Sequence, residues 1–126
     1  MKHDCIIGIG SNIDPERNIA AALFLLRSDH ELVSISTLVK TAPIGIVEQP
    51  DFLNGVVRID TTLEITDFKE YLKDVEDQLF RNRSIPKYGP RTIDLDIVVW
   101  DGEIIDKDYY DRDFLRVAVA EIYSIK

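Results

Sequence analysis

The order of apolar patterns along the chain restricts its fold more than any other feature of the sequence. Short apolar runs rich in β-branched residues alternate with two segments in which apolar residues recur at helical spacing, and Gly, Pro or Asp lies between them. A period of two residues predicts a strand and a period near 3.6 predicts a helix. The sequence therefore predicts the order βαββαβ, with a further short strand and a helical tail.

These patterns and their end signals place each element. Strands are expected at residues 5–9, 32–40, 52–60, 93–100 and 103–105. Helices are expected from Pro15, with Asp14 as N-cap, to about residue 28, from a Thr66 cap to Leu79, and over about 111–122. The glycines of Gly8-Ile9-Gly10 are expected in a tight turn. The order predicts an α+β, ferredoxin-like sandwich of one domain, residues 1–126, with an antiparallel sheet and helices packed on one face.

Composition excludes several classes of function. The net charge of −8 argues against nonspecific nucleic-acid binding, which depends on neutralising phosphates. No apolar run approaches the ~20 residues needed to cross a bilayer, so no membrane contact is expected and a cytoplasmic location is the simplest interpretation. The single Cys5 lies in an apolar run and is expected to be buried and unreactive.

Two aspartates on the predicted fourth strand are the first candidates for chemistry. Alternate side chains of a strand share a face, so Asp94 and Asp96 point one way while Ile93, Leu95 and Ile97 point the other. Asp is disfavoured in strands, and two ionised carboxylates this close repel each other. Mg²⁺ removes that repulsion, because it prefers hard oxygen ligands and retains waters and phosphates. The pair predicts a magnesium site, with an ordinary solvent-facing strand as the alternative.

A basic loop precedes these aspartates in a chain that is otherwise acidic. Between positions 81 and 91 there are four cations and no acid, namely Arg81, Arg83, Lys87 and Arg91. Guanidinium and ammonium groups neutralise phosphate oxygens, and arginine does so bidentately. Cations beside metal-binding carboxylates are typical of phosphoryl transfer. The loop favours a bound polyanion over the alternative of a solvated basic loop.

Several motifs in consistent order extend the pattern over nearly the whole chain. They are Gly10-Ser11-Asn12, Thr41-x-Pro43-x-Gly45, Gln49-Pro50-x-Phe52-Leu53-Asn54, Arg81-x-Arg83 and the run from Tyr88 to Asp96. With them the sequence resembles the 6-hydroxymethyl-7,8-dihydropterin pyrophosphokinases of the folate pathway. The resemblance implies transfer of pyrophosphate from ATP to the hydroxymethyl group of the pterin, with release of AMP and with two Mg²⁺ ions bound.

The resemblance also implies roles for individual residues. Both Mg²⁺ ions would be held by Asp94 and Asp96, which form the catalytic group with Arg81 and Arg91. The pterin would be contacted by a set that includes two aromatic clamps: Thr41, Pro43, Ile44, Phe52, Asn54 and Phe114. ATP would be contacted mainly by charged residues: Glu76, Arg81, Arg83, Tyr88, Arg91, Ile97 and Arg112.

Three of these roles depend on the resemblance alone. The residues themselves favour core packing for Phe52 and a solvated helix position for Glu76. Arg112, within Asp111-Arg112-Asp113, would be a surface charge that its acidic neighbours satisfy.

One segment departs from the family pattern. Members carry a Pro-His-Pro segment whose histidine meets the ATP phosphates, whereas residues 104–112 contain no histidine and the chain is short for the family. Two hypotheses therefore stay open: a Mg-dependent pyrophosphokinase, which is favoured, and a divergent relative that binds pterin or nucleotide without efficient transfer. A plain interaction domain would leave the aspartates and the basic loop unexplained. The expected partners are the two small-molecule substrates, and family analogy favours a monomer.

Overall fold

The computed structural model describes residues 1–43, 45, 48–81 and 90–124, which form six strands and four helices. The strands are β1 (His3–Ser11), β2 (Glu31–Ile35), β3 (Val39–Thr41), β4 (Phe52–Thr61), β5 (Asp94–Trp100) and β6 (Glu103–Ile104). The helices are α1 (Pro15–Asp29), α2 (Ile65–Gln78), α3 (Asp108–Asp111) and α4 (Asp113–Ile122). Within these ranges no helix combines the length and the apolar character that crossing a membrane requires.

The strands form one antiparallel sheet in the order β2-β4-β1-β5-β6, with β3 also paired to β4. The two longest strands, β1 and β4, pair over their full length from His3↔Thr61 to Ser11↔Leu53. β5 lies on the other side of β1, so the start of β5 adjoins the end of β1 and the start of β4. This topology confirms the predicted α+β, ferredoxin-like fold.

Both faces of the sheet are covered. α1 and α2 pack on one face, as predicted, over a core to which Ile7, Val57 and Leu95 contribute. α4 packs on the opposite face, where Leu115 and its helix neighbours meet a second buried cluster that includes Ile6, Val56, Val98 and Val99. The continuous apolar runs in the central strands explain this difference, because consecutive residues of a strand face opposite sides and both sides here need cover.

Three local predictions were wrong, and one short helix was not predicted. The strand expected at 32–40 is divided, because the Ser36 hydroxyl accepts the N–H of Val56 at 2.9 Å and so replaces part of the ladder. α2 starts at Ile65 with Glu64 in the cap position, so Thr66 lies inside the helix. The helix expected over about 111–122 is confirmed as α4, whereas the short α3, separated from it by Arg112 with an extended φ of −121°, was not predicted. Gly8 and Gly10 lie inside β1 and form no turn.

Cys5 is buried in the core beneath α1 and α2, as predicted. Burial raises the pKa of its thiol well above the usual range. The thiolate is therefore suppressed and the side chain packs as a small apolar group.

Candidate functional site

A cavity of about 710 Å³ opens at the end of the sheet where β5 begins, between α2 and the segment that precedes α4. Most of the residues singled out from the sequence line it: Thr41, Phe52, Asn54, Glu76, Arg81, Arg91, Asp94, Asp96, Ile97, Arg112 and Phe114. Pro43 is not part of its wall. Ile44, Arg83 and Tyr88 lie outside the residues that the structure describes. The fold thus brings together residues from most of the length of the chain.

Two glycines keep this end of the sheet open. Gly8 and Gly10 of β1 lie directly opposite Asp96 and Asp94 of β5, and opposite residues in an antiparallel pair share a face. A Cβ atom on Gly10 would collide with the side chain of Asn54 on the other neighbouring strand. Because glycine has no side chain, the space between the aspartates and Asn54 stays free.

The two aspartates project from the face predicted by strand alternation. Leu95 and Ile97 turn into the core under α1 and α2, while Asp94 and Asp96 face the cavity. Arg81 Nη1 lies 3.2 Å from Asp94 Oδ1, and Arg91 Nη1 lies 3.0 Å from Asp94 Oδ2. Both carboxylate oxygens of Asp94 are therefore paired with arginines from the two ends of the basic loop.

Asp96 is in a different electrostatic environment from Asp94. Its side chain is exposed to the cavity, yet the concave wall displaces much of the water around the carboxylate. Burial in this wall and the neighbouring carboxylates of Asp94, Glu76 and Asp106 together raise its pKa to about 7. A bound cation would relieve this repulsion.

Glu76 is buried, so the expectation of a solvated helix residue was wrong. It shares the apolar stripe of α2 with Phe68, Leu72 and Val75, and this stripe packs on the sheet. Its carboxylate accepts a hydrogen bond from the N–H of Leu95 at 2.8 Å and from Arg81 Nη1 at 2.6 Å. A buried charge requires such partners, and Glu76 finds them on the strand that carries the aspartates and on the loop arginine.

Another part of the cavity lining consists of Asn54 and two phenylalanines. Asn54 Nδ2 donates to Thr41 Oγ1 across β4 and β3. Phe52 at the start of β4 and Phe114 at the start of α4 are both half-buried and both line the cavity. The core-packing interpretation of Phe52 was therefore wrong, because its ring lies on the cavity wall outside the main apolar cluster.

Arg112 lines the cavity from the extended link between α3 and α4. Its guanidinium lies 3.6 Å from Asp108, so its acidic partner is not an immediate neighbour in sequence. Asp113 pairs with Arg116 instead.

Two residues of this region were missed by sequence reasoning. Asp106 lines the cavity, and burial raises the pKa of its carboxyl. Asn12 is buried; its side chain donates to Gln49 Oε1 at 2.8 Å and accepts the N–H of Arg91 at 2.8 Å. Asn12 thereby joins the end of β1 to the segments on either side of the cavity. Its place in Gly10-Ser11-Asn12 was the only available signal for it.

The donor set suits a magnesium ion that is completed by its substrate. Within the described ranges no group of three or more His, Cys, Asp or Glu side chains is arranged to hold a metal. Mg²⁺ is commonly bound through only one or two carboxylates, with waters and substrate phosphates as its remaining ligands. Asp94 and Asp96 supply two such carboxylates beside cations that suit phosphates, so the residues present fit the ion.

Comparisons with known proteins agree with this site. The sequence profile of the 7,8-dihydro-6-hydroxymethylpterin-pyrophosphokinase family matches residues 6–124. The chain is 34% identical to the 2-amino-4-hydroxy-6-hydroxymethyldihydropteridine pyrophosphokinase of Haemophilus influenzae, over 94% of the chain and 80% of that protein. It is also 34% identical to the enzyme of the same name from Bacillus subtilis, over 97% and 79%. A mitochondrial folate synthesis bifunctional protein of Pisum sativum is 39% identical over 77% of the chain and 19% of its own length. The chain belongs to the 7,8-dihydro-6-hydroxymethylpterin-pyrophosphokinase family.

Proposed function

We propose that the protein transfers pyrophosphate from ATP to the hydroxymethyl group of 6-hydroxymethyl-7,8-dihydropterin, releasing AMP, as a step of folate biosynthesis. The observation that carries this proposal is one cavity with two chemically different walls. One part of the lining holds Asp94 and Asp96 beside arginines, and another holds Asn54 with the half-buried Phe52 and Phe114. The names of the relatives support the same reaction, since two of them are pyrophosphokinases of this pterin.

The charged wall would bind ATP. Arg81, Arg91 and Arg112 converge on the cavity, and arginine binds phosphate oxygens bidentately. Asp94 and Asp96 would hold two Mg²⁺ ions, which when bound neutralise phosphate charge and hold the phosphates in place. Ile97 lines the cavity beside this wall and would contact the nucleotide. The further assignments of Arg83 and Tyr88 to ATP stay predictions from the resemblance.

The second wall would bind the pterin. Phe52 and Phe114 both line the cavity and would stack on a flat heterocycle, and each aromatic contact contributes about 1 kcal/mol beyond the area buried. The side-chain amide of Asn54 offers a donor and an acceptor to the polar edge of such a ring, and Thr41 fixes its orientation. The assignments of Pro43 and Ile44 to this wall stay predictions.

The residues act chiefly by positioning and by charge stabilisation. The hydroxymethyl group releases its proton to water as its oxygen forms a bond to the β-phosphorus, and the bond from that phosphorus to the oxygen of AMP breaks, so that AMP leaves with the electron pair of that bond. Arg81 and Arg91 both lie beside Asp94, where the metal-bound phosphates would be held, so they can stabilise charge on the transferring group. This chemistry needs no covalent nucleophile. Cys5 does not act as one, because it is buried in the core.

The direct test mixes the purified protein with Mg²⁺, ATP and 6-hydroxymethyl-7,8-dihydropterin and measures AMP. We expect AMP formation that needs both the pterin and Mg²⁺, and that falls to background in an Asp94→Ala, Asp96→Ala variant. Pterin binding measured by calorimetry provides the second arm. A wild-type protein that binds pterin but forms no more AMP than the variant would contradict transfer and would favour a relative that only binds.

Further features of the proposal follow from composition and analogy. The protein works as a single-domain monomer in the cytoplasm, without nucleic-acid partners. Its net charge of −8 supports the exclusion of nucleic acids. Light scattering of the purified protein with and without substrates tests the oligomeric state.

A further inference from the structure

Among the residues that the structure describes, no strand pairs with the start of β5 on its outer side. Within the ranges that the structure describes, β6 pairs only with Val99 and Trp100, whereas β1 covers the inner side of β5. The N–H of Leu95, between the two aspartates, is buried and donates to the carboxylate of Glu76 instead of to a strand. A buried N–H without an acceptor destabilises the fold, so this contact fixes the strand where the aspartates emerge.

Glu76 is joined to Arg81 by two hydrogen bonds, one to its carboxylate and one to its backbone carbonyl. Glu76 Oε2 accepts from Arg81 Nη1 at 2.6 Å, and the Glu76 carbonyl accepts the backbone N–H of Arg81 at 3.1 Å. The second bond closes the end of α2, where Phe80 adopts a left-handed φ of 63°. This turn reverses the chain and places the Arg81 side chain over Glu76 and within 3.2 Å of Asp94.

We propose that Glu76 is a positioning residue for the reaction: it holds the Asp94-Leu95-Asp96 backbone and the Arg81 guanidinium in one fixed geometry. This inference rests on the proposed function and gives Glu76 a role beyond contact with ATP. The carboxylate acts through Leu95 and Arg81, because both are its hydrogen-bond partners and its side chain is 4% exposed. A small displacement of reacting groups costs about 10²-fold in rate, so the effect on turnover is large.

Three substitutions separate this role from a general structural one. Glu76→Gln keeps an acceptor for Leu95 but loses the charge that faces Arg81. Glu76→Ala loses both contacts. Asp74→Asn removes an exposed acid from the same helix and is the matched control. Thermal unfolding of each variant verifies the fold, and Glu76→Asp, whose side chain is one methylene shorter, replaces the alanine variant should that one not fold.

The first readout is kinetic and uses a double-mutant cycle. We expect Glu76→Gln to lower kcat by about 10²-fold while the KM for the pterin changes by less than about threefold. In an Arg81→Gln background the same substitution should change kcat by no more than about threefold, because the partner through which it acts is gone. Asp74→Asn should leave both constants unchanged. A full effect of Glu76→Gln in the Arg81→Gln background would overturn the proposal, since it shows direct action on the nucleotide.

The second readout needs no activity. Hydrogen exchange of the Leu95 amide in the ligand-free protein should accelerate by about tenfold or more in Glu76→Ala and stay slow in Glu76→Gln. Unchanged exchange at Leu95 in Glu76→Ala would overturn the proposal. A wild-type protein that forms no AMP but shows this exchange pattern would refute the proposed reaction while leaving the positioning contact established.

Discussion

The two ends of β5 carry acidic residues in opposite environments. At its start, burial in the cavity wall and the carboxylates of Asp94, Glu76 and Asp106 raise the pKa of Asp96 to about 7. Just after its end, a hydrogen bond from His3 and a second from the N–H of Asp4 lower the pKa of Asp101.

The difference lies in what surrounds each carboxylate. Asp101 accepts from His3 Nδ1 at 2.7 Å, and the other ring nitrogen of His3 lies 2.5 Å from Glu64, so two acids share one imidazole. Asp96 instead lies near the carboxylates of Asp94, Glu76 and Asp106. Its neighbour on β1 is Gly8, which has no side chain to pair with it. A carboxylate that accepts hydrogen bonds from protein donors, as Asp101 does, is typical of a structural contact. Carboxylates that repel one another, as around Asp96, are typical of a site that binds a cation together with its ligand.

The largest expected effect separates the two ends by activity. Asp96→Asn should lower the rate of AMP formation by about 10³-fold, because it removes a charged ligand of the metal and phosphate site. Asp101→Asn is the matched control, since it removes the same charge from the other end and asparagine tolerates the left-handed φ of 49° there. Equal losses of AMP formation in the two variants would contradict a functional difference between the two ends of β5.

The second effect concerns the arginines on Asp94. In the ligand-free protein Arg91 and Arg81 occupy both oxygens of Asp94 and compete with a cation for them. Arg91→Ala should therefore bind Mg²⁺ about tenfold more tightly than wild type when no nucleotide is present, although it lowers turnover. Isothermal calorimetry with Mg²⁺ alone measures this, and an unchanged or weaker affinity would contradict the competition.

The third effect is an opposite change of stability at the two ends. The raised pKa of Asp96, about 7 against an ordinary 3.8, means that wild type loses stability as the pH rises from about 4 to 7. Asp96→Asn should thus gain about 1 kcal/mol in unfolding free energy above pH 7, a figure that already allows for solvent screening at this exposed side chain. Below about pH 4 the variant should gain nothing.

Asp101→Asn should change stability in the other direction. Its lowered pKa stabilises the fold above the ordinary pKa of aspartate and stops doing so as the pH falls through the lowered value. The asparagine variant should therefore be less stable than wild type at pH 7. Urea unfolding at pH 4 and pH 8 measures the change in unfolding free energy of both variants. A change of the same sign in both at pH 8 would contradict the opposite environments of the two carboxylates.

The smallest effect is expected at His3. Asp101 and Glu64 raise the pKa of its imidazole, so the pairing stabilises the fold fully below about pH 6.5 and is lost as the pH rises through the raised value. His3→Gln should lower the melting temperature at pH 6 and leave it unchanged at high pH, with no change in AMP formation. A pH-independent difference would show that packing against Trp100, 4.9 Å away between ring centroids, outweighs the charge.

The sequence predicted those features of the fold and the site that depend on local patterns. Alternation in β5 assigned opposite faces to Asp94 and Leu95, and the apolar periods placed α1, α2 and the ferredoxin-like sheet. Burial of Glu76 was not predictable, because a carboxylate in an apolar stripe has a partner only once Leu95 and Arg81 are folded against it. The role of Gly8 and Gly10 was missed for the same reason, since register with β5 and not local turn chemistry explains them.

The most direct test of the central claim is calorimetric titration with a non-hydrolysable ATP analogue, with and without Mg²⁺. Wild type and Asp101→Asn should bind the analogue equally, and both should need Mg²⁺ for full affinity. Asp96→Asn should bind it at least about tenfold more weakly, because the charge of one metal-binding carboxylate is gone. Equal affinity in all three proteins, or affinity that is indifferent to Mg²⁺, would contradict the assignment of this end of β5 to a nucleotide-bound metal.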